Sequence, residues 1–195
     1  FLWIGTFHGG LTRYDPRSGQ FKHYRKNSGE KNAINNNVVR AIYQDRSGNL
    51  WFGTDAGLNR LDIQTGRFSV FRHDPANPNS LKHPAGDVIL SIQADIAGKF
   101  WVGTQNGGVD LFDPERNRFI HFRDRYRQLA GFKSKQNHNI HTLYRDRFGI
   151  LWIGFEESGL GRFDPNKSEF KLYKKNTSQQ RKTGQGGTLS HNSVR

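Results

Sequence analysis

Cysteine and methionine are both absent from the 195 residues. Without cysteine there is no disulfide, no thiolate metal site and no cysteine nucleophile. Either redox compartment tolerates that, so it does not locate the protein. The lack of methionine, with a start inside a repeat unit, reads as a fragment or domain cut from a longer chain. The lack of a signal peptide therefore says nothing about a parent protein. No apolar run approaches the length needed to span a bilayer. Hydrophobic residues make up only 33%, yet aromatics reach 13% and glycines number 22. A core of a few large rings with many tight turns suits an all-β protein.

Acidic residues are also scarce, 17 against 30 Lys and Arg, for a net charge of +13. A nucleic-acid partner would follow if the basic residues formed one patch. Instead they fall largely at the end of each repeat: Lys22, Arg25 and Lys26; Arg72; Arg123, Arg125 and Arg127; Lys171, Lys174 and Lys175. Charge on an edge strand guards against edge-to-edge aggregation. That reading predicts no sequence-specific nucleic-acid binding, with an anion-binding surface as the alternative.

What is present is a stretch that occurs four times. It reads Leu2-Trp3-Ile4-Gly5-Thr6, Leu50-Trp51-Phe52-Gly53-Thr54, Phe100-Trp101-Val102-Gly103-Thr104 and Leu151-Trp152-Ile153-Gly154-Phe155. From Trp3 through Trp51 and Trp101 to Trp152 the intervals are 48, 50 and 51 residues. A fixed period in that range is the mark of a repeat architecture. Each stretch is apolar, β-branched and aromatic, which predicts a strand buried on both faces.

Residues 38–73 hold four strand signals: Val38 to Gln44, Leu50 to Thr54, Leu58 to Asp62 and Arg67 to Phe71. Between them lie Asp45-Arg46-Ser47-Gly48, Asp55-Ala56-Gly57 and Gln64-Thr65-Gly66, all turn-forming. Four short antiparallel strands make one meander, or blade. The order recurs from Val88 and from Ile140, and the first copy lacks its first strand. Third strands often end in Asp-Pro, as at Asp15-Pro16, Asp113-Pro114 and Asp164-Pro165, where proline cannot continue a ladder. The units are 1–37, 38–87, 88–138 and 139–191, with 192–195 opening the next first strand. The segments between blades are polar and read as ordinary surface loops.

Asn192-Ser193-Val194-Arg195 matches Asn37-Val38-Val39-Arg40, so eight residues of one repeat separate the two chain ends. Either the four units are a slice of a larger ring or they close on themselves. Eight residues reach at most about 30 Å, which closure would have to respect.

Radial repetition of four-stranded sheets is the β-propeller arrangement. At Asp45-x-x-Gly48-x-Leu50-Trp51-x-Gly53-Thr54-x-x-Gly57-Leu58-x-Arg60 the repeat resembles that of the two-component regulator propeller family. The departures are Ile63 for the turn proline and Phe155 for threonine. The resemblance implies the periplasmic sensing region of a membrane-bound hybrid two-component sensor, many of which respond to carbohydrates, or of a diguanylate cyclase. It further implies about seven blades in a ring, a downstream signalling domain and a dimeric parent receptor. It does not fix ligand residues.

No constellation for catalysis emerges. Asp45, Asp95 and Asp146 recur at equivalent positions, whereas a catalytic carboxylate should break the repeat; they read as turn residues. Glu156-Glu157 are adjacent and cannot flank a glycosidic bond, so they read as solvated surface. His138 and His141, three apart in a strand region, point to opposite faces, and His8, His23 and His121 lack a neighbouring ligand, so no metal or cofactor is expected. Gly9-Gly10 and Gly107-Gly108 read as hairpin turns with no helix to follow.

In a propeller the first strand lines the central channel. Its starting end carries Asn37, Asp87, His138 and Asn192 at one equivalent position, then Arg40, Leu90, His141 and Arg195 three residues on. The neighbouring turns add His8, Asp55, Gln105-Asn106 and Glu156-Glu157. These vary on an invariant frame, as a non-symmetric ligand such as an oligosaccharide would need and as neutral drift would also give. Three functions remain: a non-enzymatic sensor, a protein-interaction scaffold, and a propeller glycosidase or lyase.

Overall fold

The computed structural model describes residues 1–27, 29, 32–81, 87–122 and 139–174. Its fifteen strands run in chain order: β1 Leu2–Gly5, β2 Leu11–Tyr14, β3 Phe21–Tyr24, β4 Val39–Gln44, β5 Leu50–Thr54, β6 Gly57–Leu61, β7 Phe68–Phe71, β8 Ile89–Ala94, β9 Phe100–Thr104, β10 Gly108–Asp113, β11 Arg118–His121, β12 Ile140–Arg145, β13 Leu151–Phe155, β14 Gly159–Asp164 and β15 Glu169–Tyr173. They form one three-stranded sheet and three four-stranded sheets, each an antiparallel meander in sequence order. These are four blades, and among the described residues the first has no first strand. The architecture is the all-β propeller arrangement the repeat predicts.

The first strands β4, β8 and β12 lie beside one another, so they line the common axis. Three backbone features repeat and make the geometry. The Asp of the first turn accepts N–H bonds at its own corner: Ser47 and Asn49 donate to Asp45 at 2.9 Å. Phe148 and Ile150 donate to Asp146 at 2.9 and 3.0 Å. The Thr that ends the Trp strand donates its hydroxyl to the far side of the next turn, Thr6 to the Gly10 carbonyl, Thr54 to Gly57 and Thr104 to Gly108. Gly10 at φ 78° and Gly108 at φ 88° sit in the left-handed region, which fits the two Gly pairs as turn residues.

The core lies between blades rather than within them. Trp3, Leu11 and Tyr24 of blade 1 pack on Leu50, Phe52, Leu61 and Phe68 of blade 2. Trp51, Leu58 and Phe71 pack on Phe100, Val102 and Phe112 of blade 3, with Trp51 and Phe100 ring centroids 4.9 Å apart. Trp101, Val109 and Phe122 pack on Leu151, Ile153 and Phe163 of blade 4. The Gly after each Trp is what lets blades approach. A Cβ at Gly5, Gly53 or Gly103 would fall 2.7–2.8 Å from Val39, Ile89 or Ile140 of the following blade.

Two expectations need correction. The Trp strands are not all buried on both faces. β5 and β9 are, but in β1 Leu2 is 57% and Ile4 38% exposed. Trp3 and Trp152 are half-buried. These residues belong to the two ends of the arc, where no described blade covers them. The segments between blades are also more than surface loops, because Ile34 and Leu81 are each 1% exposed and plug the first two blade interfaces from outside. The pairing of 193–195 beside the Trp3 strand lies outside the described residues, as do Arg123, Arg125, Arg127 and Lys175.

Candidate functional site

The rim at the start of the first strands is shaped by a repeated irregularity. β4 pairs β5 as Val39↔Thr54 and then Ala41↔Gly53, which leaves Arg40 unpaired in a bulge. β8 does the same at Leu90, between Ile89↔Thr104 and Ser91↔Gly103. β12 repeats it at His141, between Ile140↔Phe155 and Thr142↔Gly154. A bulge adds one residue against its partner strand and re-aims that side chain. The re-aimed residue meets the one just past the end of the Trp strand. Arg40 makes a two-pronged ion pair with Asp55, its Nη2 lying 3.1 Å from Oδ2. His141 Nε2 lies 3.5 Å from Glu156 Oε1. Leu90 and Gln105 hold the corresponding places in blade 3 and are half-buried.

Both polar clusters cross a blade boundary. The Arg40 guanidinium sits over the Phe7 ring of blade 1 at 5.2 Å, and His8 meets the same ring edge-on at 4.7 Å. Asn139, 7% exposed, donates to the second Glu156 oxygen and accepts the Asn106 N–H of blade 3 at 2.9 Å. The Arg40 charge is matched by Asp55.

The remaining candidates fall differently. Asn37 accepts the Lys26 N–H at 2.7 Å through its side chain, and Asp87 accepts that of His73 at 2.7 Å. Each ties the two ends of an interblade loop together. His138 and Asn192 lie outside the described residues. Phe7, 61% exposed, is a rim residue that the sequence reading leaves out. It stands four residues after Trp3, as Asp55, Gln105 and Glu156 stand after their own tryptophans. That shared offset is the signal that finds it. Asn139 is a second such residue, and its blade equivalents Val38 and Val88 are apolar.

A cleft of about 270 Å³ lies away from the rim, where residues 73–80 fold over β11, lined by Arg72, His73, Asn77 and Asn117 among others. Its wall is held by His121, which bridges Asp110 at 2.9 Å and the Pro78 carbonyl at 3.2 Å. Among the described residues no group of three or more His, Asp or Glu side chains is placed to hold a metal ion.

Residues 33–56 and 134–157 match the two component regulator propeller family. Both segments span the bulged first strand and the Trp strand, and the first also takes in the plug residue Ile34. The chain is 28% identical over 177 residues to a protein named histidine kinase P4 from Formosa agariphila, covering 88% of this chain and 12% of that protein. The extracellular domain of a one component system from B. thetaiotaomicron superposes with a TM-score of 0.63 at 24% identity, over 87% of this chain and 23% of that one. Virginiamycin B lyase from Staphylococcus aureus superposes with a TM-score of 0.63 at 13% identity, over 90% of this chain and 52% of the lyase. At those identities the two structures speak for the fold alone. The four-stranded blades, the recurring Asp-turn, Trp-strand and glycine pattern, and the two matched segments make this chain similar to the two-component regulator propeller family.

Proposed function

We propose that the chain is the non-enzymatic ligand-input region of an extracytoplasmic sensor in a two-component-type signalling protein, and that the ligand is an oligosaccharide. The observation that carries this reading is the bulge that recurs in three first strands and turns a different side chain onto the rim each time. A frame that repeats while its presented residues do not is suited to a ligand without rotational symmetry.

The presented groups favour a neutral polyol over an ion. Phe7 offers an exposed apolar ring of the kind on which a sugar face can lie. Arg40 with Asp55, and His141 with Glu156, offer paired donors and acceptors rather than one uncompensated charge. Against an enzyme stands the absence, in this cluster, of a carboxylate pair placed across from one another. Glu156 is held by Asn139, and Asp55 is held by Arg40.

The test is calorimetric titration of the protein with a panel of oligosaccharides, with chromatography of the mixtures after incubation. Heat of binding without new products is the expected result, and it should weaken at least tenfold in Phe7→Ala and Arg40→Ala. Release of shortened or unsaturated sugars would make the protein a glycosidase or lyase. Silence across the panel, with a protein co-purifying instead, would make it a scaffold.

A further inference from the structure

The cleft over β11 departs from the repeat at two places, and each departure adds a side-chain amide to its lining. The arch of residues 73–80 is tied to itself. Ser80 Oγ accepts the Asp74 N–H at 2.8 Å, and the Asp74 and Asn77 side chains accept the Ala76 and Asn79 N–H groups at 2.9 and 3.0 Å. Asn79 then fastens the arch to β11 with its backbone carbonyl, which accepts the Phe119 N–H at 2.8 Å. In the preceding interblade segment a side chain makes this link. Asn32 stands two residues before Ile34, as Asn79 stands before Leu81. It accepts the Phe68 N–H at 2.7 Å through Oδ1 and donates to the Gly66 carbonyl at 3.2 Å through Nδ2. The change from side chain to backbone releases the Asn79 amide.

Asn117 is the second departure. It lies two residues before the first phenylalanine of its fourth strand, where blades 1 and 2 carry Gly19 and Gly66. All three sit in the left-handed region, Asn117 at φ 49° and the glycines at 70° and 68°. Glycine enters that region without steric cost, so the asparagine brings a side chain that the turn does not require. Both amides belong to exposed residues, and among the described residues neither has a hydrogen-bond partner.

The rest of the lining supplies polar groups of fixed direction. β7 is an outer strand, and its Phe68 N–H turns outward to Asn32. Val70, two residues on, therefore also turns its N–H and carbonyl outward. His73 Nδ1 donates to the Leu81 carbonyl at 2.7 Å, which leaves Nε2 as an acceptor in the neutral ring. Arg72 engages only its Nε, with the Ala56 carbonyl at 3.0 Å, and Asp74 in the same lining offsets its charge.

We propose that this cleft binds a single neutral sugar ring, with the Asn79 and Asn117 amides each bridging a pair of neighbouring hydroxyls. A side-chain amide carries a donor beside an acceptor, which matches two vicinal hydroxyls taken in opposite senses. The volume of about 270 Å³ falls just under the ~300–1,000 Å³ of sites for drug-sized ligands, which sets the occupant at one ring rather than a chain. Val70, 41% exposed, offers the apolar spot against which the C–H face of a ring lies. The site is separate from the rim and does not rest on what binds there.

The test is nuclear magnetic resonance of isotope-labelled protein titrated with glucose, galactose and mannose, following the side-chain amide signals of Asn79 and Asn117. At least one of these hexoses should shift both signals saturably. Asn79→Ala and Asn117→Gly should each weaken that binding about fivefold, as the loss of one hydrogen-bonding group does. Neither should lower the melting temperature, since neither amide holds the fold and Asn117→Gly restores the residue of blades 1 and 2. Phe7→Ala, which spoils the rim, should leave the cleft shifts in place, so a failure at the rim and a failure at the cleft are told apart. The proposal is overturned if no hexose shifts these amides, if the shifts vanish in Phe7→Ala, or if both amide variants bind as the wild type does.

Discussion

Trp51 is the side chain on which a blade interface turns. Its ring is 1% exposed, lies against Phe100 and Phe112 of the next blade, and gives its indole N–H to Asp45 at 2.9 Å. Trp51→Ala should therefore cost about 3–5 kcal/mol, measured by chemical denaturation. Trp3→Ala should cost clearly less, because that ring is only half-buried; equal losses would contradict the interface account. Asp146 repeats the indole bond to Trp152. That bond, with the backbone N–H groups of Ile150 and Phe148, outweighs burial and holds its carboxyl below the ordinary value of 3.8. Asp15 and Asp62 are lowered likewise by N–H bonds at their turns. For Asp113 burial pulls upward, but Arg116 and Lys99 together win. A group that binds its proton less tightly when folded stabilises the fold above its unfolded pKa and loses that contribution as pH falls through the folded one. The denaturation midpoint should hold from pH 7 to about 5 and fall below about 4, with a shallower fall in Asp146→Asn. The sequence reads Asp45 and Asp146 correctly as turn residues. Their grip on tryptophan was legible only in the shared spacing of six, 45 to 51 and 146 to 152, since a turn signal alone does not say where the second oxygen points.

A Trp strand works because one of its residues has no side chain. At Gly53 a Cβ would stand 2.7 Å from Ile89 Cγ2 and 3.0 Å from the Ile89 carbonyl. Gly53→Ala should destabilise the protein by about 1–3 kcal/mol, as overpacking does. Ile89→Ala in the same chain should recover part of that loss, a coupling that a double-mutant cycle reads directly. Purely additive losses would mean that the two blades do not meet there. Blade 4 shows the same size logic in reverse. Phe155 replaces the turn threonine, and Gly161 stands where other blades carry Thr12, Asn59 or Asp110. A Cβ at Gly161 would lie 3.0 Å from the Phe155 ring, so the larger residue is accommodated by the smaller one. Strand order and the hairpin turns could be read from the repeat, because alternation and turn chemistry are local. The bulges could not: Arg40, Leu90 and His141 share no residue type, and a bulge is a property of pairing between strands. The plugs were hidden for another reason. Ile34 and Leu81 are single apolar residues in polar segments, and only the assembled interface reveals what covers them.

For the molecule as a whole, the sequence supplies a period, and a period fixes architecture before any contact is known. It is less informative about the ends, where a face that the repeat marks as core stands bare. It also leaves the meaning of the net charge of +13 open, and the topology bears on that. In each blade the fourth strand is the outer edge of its sheet. Exposed Lys22 and Lys171 lie on such strands, with Arg25 and Arg72 just beyond them, so the positive charge is divided among separate blades. Part of it is also occupied: Lys22 lies 5.1 Å from the Tyr24 ring and Lys171 5.0 Å from the Tyr173 ring. Charges arranged in this way guard strand edges, and among the described residues no one blade edge offers the run of contacts that tight DNA binding draws on. Fluorescence anisotropy with labelled duplexes should therefore find weak binding that is indifferent to sequence and falls steeply with salt, each phosphate contact contributing about −0.9 to the slope of log K against log salt. A slope equivalent to six or more contacts, or a sharp preference for one duplex at physiological salt, would show that the outer strands form a continuous nucleic-acid surface and that edge protection is the wrong account of these residues.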